Sequence, residues 1–255
     1  MIHPTAIVDP AAQVHSGARI GPYCIIGPGV VIGEDTELQN HVTMMGPTRV
    51  GRGNFFHAYT SIGQKTQDLK YEGEPTFLEI GDGNVFREFC TVNRGTLPGT
   101  KTIIGNGGNF LAYSHIAHDC LVGDKVIFSN NGTLAGHVHV GDHAVIGGLT
   151  AIHQFCRVGR HAITGGCSKI VQDVPPFFIA DGNPAEVRGV NQVGLERAGF
   201  APETIRALKE AYRILYRGKL NVKQSVEAIR TELPGIPEIA ELCAFIESSE
   251  RGIIR

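Results

Sequence analysis

Apolar residues recur at every sixth position of this chain. Stepping by six from Ile2 gives Val8, Val14, Ile20, Ile26 and so on to Ile170. Of these 29 positions only Asp68, Glu74, Pro98 and Thr164 are not apolar. A period of six fits neither the two-residue repeat of a strand nor the 3.6-residue repeat of a helix. It is the repeat of a β-solenoid in which each hexad forms one short side of a coil. Three hexads closing a triangular coil stack residues 18 apart at the ~4.8 Å spacing of paired strands. About 170 residues then make roughly nine coils. Glycine often follows the apolar residue, as at Gly21, Gly33, Gly105 and Gly147, and is expected there to permit turn conformations closed to other residues.

The frame is interrupted twice and survives both times. The stretches 64–77 and 94–101 read as loops that leave a coil and return to it. Such loops often build a solenoid's binding face, which makes Asp68 and Lys70 candidate contacts for a substrate or a neighbouring subunit. After Ile170 the hexads stop, and residues 171–191 form a Pro/Gly-rich transition. Helical spacing follows: Ile205, Leu208, Tyr212 and Leu215 between Pro202 and Gly218, then Val222, Val226 and Ile229 behind a capping Asn221, then Ile239, Leu242, Phe245 and Ile246. The expected architecture is mainly β: a parallel β-helix of hexapeptide repeats over residues 1–185, then a C-terminal α-helical domain over 186–255 that covers the open coil. The pattern does not give the hand, and the usual crossover rule alone favours right-handed.

Composition narrows the function. A net charge of -2 with both signs dispersed gives no nucleic-acid-binding surface. The N-terminus lacks a basic region followed by an apolar run, and no stretch approaches membrane-span length, so a cytoplasmic protein without an integral membrane segment is expected. Cys24, Cys90, Cys120 and Cys156 all fall four residues after an every-sixth apolar position, where Ala, Ser or Thr stands in other hexads. They read as small buried residues, not as redox or metal groups.

The stacking arithmetic also collects chemistry. His118, Gly136 and Gln154 form one column; Asp119, His137 and Phe155 form the next. A histidine, a backbone free of side chain and an amide thus line one wall within roughly 10 Å. His139, His143 and His161 fall at loop-like phases and read as surface residues.

The motifs IAHDC, LAGH, HQFC, GGCS, QDVPP and GVN, the loop QDLKY-GEPT and the terminal RGIIR together resemble the UDP-N-acetylglucosamine acyltransferases, over essentially the whole chain. The resemblance implies a left-handed parallel β-helix and a homotrimer with active sites between subunits. It implies transfer of an (R)-3-hydroxyacyl group from acyl carrier protein to the 3-hydroxyl of UDP-N-acetylglucosamine, the first step of lipid A synthesis. No cofactor and no metal are implied, the donor being the phosphopantetheine thioester of the carrier protein. It makes His118 the general base, with Asp119 beside it to orient the imidazole and the Gly136 N–H as oxyanion donor. His115, His137, His153, Gln154, Asn191 and Arg197 become substrate contacts, Arg197 suiting a diphosphate as a forked cation. Gly166 matches a position that limits acyl length, and a glycine there implies a longer chain. The sequence departs from the family at Val193, where a Glu is usual, and at Ala198, where a second Arg is usual.

Two other classes compete. A γ-type metal-dependent hydratase shares the fold and needs three histidines around a metal, but His115 and His118 are spaced too closely for its pattern. A non-catalytic hexapeptide scaffold would not need the two loops or the His–Gly–Gln column. Among acyltransferases, the N-acyltransferase of the same pathway usually carries a preceding uridine-binding domain, whereas here the hexads begin at Ile2.

Overall fold

The computed structural model describes residues 1–255. The chain winds as a left-handed parallel β-helix of triangular section, with three flat faces of very short strands. The first face holds nine parallel strands, from Ile7–Val8 to Lys169–Ile170. The second holds eight, from Gln13–Val14 to Arg157–Val158. The third holds ten, beginning at Arg19–Ile20 and ending in an antiparallel hairpin of Phe178–Gly182 with Ala185–Val190. Each regular strand has one inward residue, apolar except for Thr164, and these make a continuous core. In its middle Phe56, Phe86 and Phe110 stack face to face at 4.9 and 4.6 Å.

Register explains why the frame survives its interruptions. In the regular coils the partner lies three hexads on, as where Ile26 pairs with Met44 and Ile116 with Leu134. Across the first loop Ile62 pairs with Val92, five hexads on, and across the second Val92 pairs with Ile116, four hexads on. The loops therefore add whole hexads, two and one, and the inward positions stay in phase.

The glycines after the apolar positions act differently from the sequence expectation. The left-handed turn conformation falls two residues later and is borne mostly by non-glycine residues, including Tyr23, Asp119, His137, Phe155 and His161, none of them β-branched. Glycine is required by the approach of the next coil. A Cβ on Gly21 would stand 2.8 Å from the Gln39 carbonyl, and one on Gly33 would stand 2.5 Å from the Gly51 oxygen.

At the C-terminal end the β-structure runs to Val190, beyond the expected division at 185, and α1 (Gln192–Arg197) follows at once. The helix expected from Pro202 to Gly218 is α2 (Pro202–Tyr212) continued by a π-helical turn, Arg213–Arg217. Then come α3 (Val222–Glu232), whose Asn221 cap forms a capping box with Gln224, and α4 (Pro237–Glu247). The chain finally returns to the last coil, where Ile253 bridges Asp173 and both Ile253 and Ile254 are buried. No helix is long and apolar enough to cross a membrane.

His161 is a correction. It is 6% exposed, not a surface residue. Its ring stacks on His143 at 4.6 Å, and Phe200, from the segment between α1 and α2, closes on it edge-on at 5.0 Å. The cover comes from a segment far downstream, which no local pattern reveals.

Candidate active site

The corner between the first and second faces carries the His118 and Asp119 columns. Thr133 pairs with His115 and Ala151 with Thr133, so His118, Gly136 and Gln154 stack one coil apart. His118 is 6% exposed and its Nδ1 lies 2.8 Å from Asp119 Oδ2. Nδ1–H donates to that carboxylate, which leaves Nε2 as the bare, basic nitrogen. Gly136 makes room for the ring: a Cβ there would run into His118 Cε1 and Nε2. The Gly136 N–H has no acceptor within the chain.

Asp119 is held as a carboxylate. Burial alone would raise its pKa, but hydrogen bonds from His118 and Thr100, the nearby His137 and the Thr96 N–H outweigh burial and bring it down to about 2. His137 Nε2 stands 3.8 Å from Asp119 Oδ2, and the His137 ring stacks on Phe155 at 4.7 Å. His115 bonds Thr91 Oγ1 through Nδ1 at 2.7 Å; burial, helped by His118, pushes its pKa down.

A cavity of about 690 Å³ opens on the first face against this corner. It is lined by Asp68 and Lys70 from the first loop, by His115 and His118, by Gly136, and by His153 and Gln154 from the next coil. His153 Nδ1–H donates to the Gln154 carbonyl, 3.1 Å away, and so presents Nε2 as an acceptor. Lys70 and Lys169 are the lysines of the lining and Asp68 its one carboxylate.

Five of the expected site residues lie outside that lining: Asp119 and His137, which stand behind His118, and three that are farther away. Asn191 is buried, caps α1 by accepting from Gly194 N–H, and donates to the His161 carbonyl at 2.9 Å. His161 belongs to the corner between the second and third faces, which does not border the cavity. Arg197 is exposed in the last turn of α1, with Val193 and Ala198 beside it. Gly166 lies on the corner between the third and first faces, exposed, and a Cβ on it would meet only the Gly148 oxygen at 3.5 Å.

Relatives decide the family. The sequence model described as UDP-N-acetylglucosamine O-acyltransferase, domain 2, matches residues 173–254, and the bacterial transferase hexapeptide model matches residues 1–34. An acyl-[acyl-carrier-protein]–UDP-N-acetylglucosamine O-acyltransferase of Thermodesulfovibrio yellowstonii is 51% identical over 100% of this chain and 99% of its own. The chain belongs to the UDP-N-acetylglucosamine O-acyltransferase family. The enzyme of the same description from Stutzerimonas stutzeri is 46% identical over 100% of this chain and 99% of its own. The structure of LpxA from Acinetobacter baumannii, 47% identical, superposes with a TM-score of 0.96 over 100% of this chain and 99% of that one. This chain is accordingly an acyltransferase.

The ligand atoms of His118, Asp119 and His137 lie within 4.8 Å of one another, a spacing a metal ion could use. Asp119 already accepts hydrogen bonds from His118 and the Thr96 N–H, so a metal there would displace the bond that orients the His118 imidazole. Sequence reading missed Thr66, Thr91, Thr96 and Thr100. Thr66 and Thr96 fall in the small-residue slot four after Ile62 and Val92, so phase marks them as buried but says nothing of the partners the loops bring to them.

Proposed function

We propose that the enzyme transfers an (R)-3-hydroxyacyl group from acyl carrier protein to the 3-hydroxyl of UDP-N-acetylglucosamine, the opening step of lipid A synthesis, in the cytoplasm. The observation that carries this reading is the His118–Asp119 pair packed against Gly136 at the wall of a cavity that Asp68 and Lys70 also line. His118 Nε2 takes the proton of the sugar hydroxyl as its oxygen attacks the thioester carbonyl. The Gly136 N–H receives the oxyanion, a contact typically worth ~3 kcal/mol. When the intermediate collapses, the C–S bond breaks and the same proton passes from His118 to the departing thiolate. No cofactor enters; the phosphopantetheine thioester is a substrate. His115, His153 and Gln154 contact the sugar or thioester, and His137 holds the outer side of the Asp119 carboxylate.

The exposed Arg197 serves the nucleotide end from a neighbouring copy, because its corner does not border its own cavity, and the buried Asn191 acts only by setting α1 in place. That placement supports a homotrimer with shared sites. Gly166 stands where the acyl chain leaves, and its open corner suits a long chain.

The test is acyl transfer to UDP-N-acetylglucosamine from a panel of (R)-3-hydroxyacyl carrier proteins, with and without EDTA. Wild type is expected to work best on long donors, EDTA to have no effect, and His118→Ala to lose roughly 10²–10⁴-fold. Normal activity in a folded His118→Ala would remove the base assignment. Loss of activity on chelation would favour the metal-dependent reading of the His118, Asp119 and His137 group.

A further inference from the structure

The two inserted loops converge on one carboxylate. Thr96, in the second loop, sends its backbone N–H to Asp119 Oδ2 at 3.1 Å and to Thr100 Oγ1 at 3.1 Å. Its hydroxyl donates to Thr66 Oγ1, in the first loop, at 2.8 Å. Thr66 Oγ1 also accepts the Asp68 N–H at 3.0 Å. Thr96 thus stands between the two: its hydroxyl ties it to Thr66 and so to Asp68 at the cavity, and its own backbone N–H holds the carboxylate that orients His118. Thr66 is 5% exposed and Thr96 3%.

We propose that Thr66 and Thr96 are positioning residues for the transfer reaction, tying the loop that carries Asp68 and Lys70 to the alignment of the His118–Asp119 pair. The inference rests on the function proposed above and adds that filling the sugar pocket and aligning the base are coupled.

Two observations separate this from a packing role. The loops are already joined by backbone bonds: Arg94 N–H to Gln64, Gly95 N–H to Phe77 and Gly99 N–H to Pro75. The hydroxyl pair is therefore redundant for holding the loops together, yet it fixes Thr96, the residue whose own N–H reaches Asp119. Moreover, the buried hydroxyls of Thr60, Thr76 and Thr102 have no partner at all. The fold tolerates buried threonines without a bond, so the Thr66–Thr96 bond is not a general requirement of solenoid packing. Valine matches threonine in shape, and it would fill either site while removing only the hydroxyl.

Steady-state kinetics of Thr66→Val, Thr96→Val, the double variant and the two serine variants test the idea, with thermal midpoints measured alongside. Thr96→Val should lose roughly 3- to 10-fold in kcat, the usual effect of one hydrogen bond, with KM for UDP-N-acetylglucosamine nearly unchanged. Thr66→Val should lose as much kcat and also raise that KM, because the Asp68 N–H loses its acceptor. The double variant should be no worse in kcat than Thr66→Val, and serine at either site should restore wild-type values. Nitrogen-15 spectra of the ligand-free protein, with the His118 signal assigned by its loss in His118→Ala, should show that signal moved in both valine variants. Kinetics within twofold of wild type, additive losses, or losses that track a lowered midpoint and are not rescued by serine would each overturn the proposal. His118→Ala separates the two readings. If it stays active, the base assignment is lost; if it is inactive while both valine variants run at the wild-type rate, only the coupling is lost.

Discussion

A histidine packed against a glycine one coil away leaves little freedom at either position. Gly136 does not have a left-handed φ, so alanine suits its backbone, and the cost of a Cβ falls on the His118 ring it would strike. Gly136→Ala should therefore fold with a near-normal thermal midpoint and lose about 100-fold or more in kcat, as expected for a misplaced catalytic group. A large loss of stability instead would show that the ring cannot yield and that the glycine serves the fold. Gly166 makes the opposite case, because a side chain there has space. Gly166→Met should leave stability unchanged and move the preferred donor to a shorter acyl chain, read on the same donor panel. The cysteines follow from burial. The thiols of Cys90 and Cys156 are pushed up to about 11 and that of Cys120 to about 12, in each case chiefly by desolvation. Cys167 alone among the six is exposed, so a thiol reagent should titrate one group quickly in the native protein and the rest only on unfolding. The His118–Gly136 pair was legible in the sequence because positions three hexads apart must stack. The partners of His161 and Asp119 were not, since they come from segments whose return no period announces.

Among the elements, those that repeat were read correctly and those fixed by distant contacts were not. The hexads and the three C-terminal helices each bury a stripe at constant spacing, and spacing survives in a bare sequence. The terminal hairpin, α1, the π-helical turn and the returning tail have no repeat. Their positions are set by what they touch. Asp173 is the clearest case. Its buried carboxylate accepts from the Arg157 backbone N–H at 2.8 Å, from Arg157 Nε at 2.9 Å and from Ser249 Oγ at 2.7 Å. Arg157 continues to the Phe245 carbonyl and lies over that ring, so one ion pair fastens α4 and the tail to the last coil. Removing the acid strands a partly buried guanidinium and several donors. Asp173→Ala should cost about 3 kcal/mol, read as a lower midpoint of chemical denaturation. Asp173→Asn, which keeps an acceptor, should recover part of it. If the alanine variant is as stable as wild type, water replaces the carboxylate and the tail is held by Ile253, Ile254 and the backbone bonds of Asp173 to Gly252 and Ile254.

At the scale of the molecule, the hand of the coil came from family likeness, since the apolar pattern is the same for either hand. The union of solenoid and helical domain has a chemical signature of its own at His161. Its imidazole lies between His143 and the Phe177 and Phe200 rings, with the Arg160 guanidinium nearby, itself paired to Glu241 of α4. Desolvation first, then His143 and Arg160, lower its pKa from 6.5 to about 4, and Asp142 opposes them only in part. The folded state therefore holds this ring neutral at a pH where the unfolded chain would bind a proton. The sign follows from proton binding: above the unfolded value both states are deprotonated and the site costs nothing. As pH falls from 6.5 toward 4 only the unfolded state gains the proton, and stability drops by up to roughly 3 kcal/mol before levelling off. Carboxylates and other histidines titrate in the same range, so the measurement is a difference. His161→Phe keeps the aromatic stack and sits at a turn position where Phe155 and Phe177 already adopt the same left-handed φ. Its thermal midpoint should fall less than that of wild type between pH 6.5 and 4, and the two curves should run parallel above pH 7. Parallel curves at every pH would mean that His161 takes up its proton while folded. In that case the contact between the solenoid and the helical domain opens without unfolding the rest, a difference that proteolysis of the α1–α2 segment at pH 4.5 would reveal.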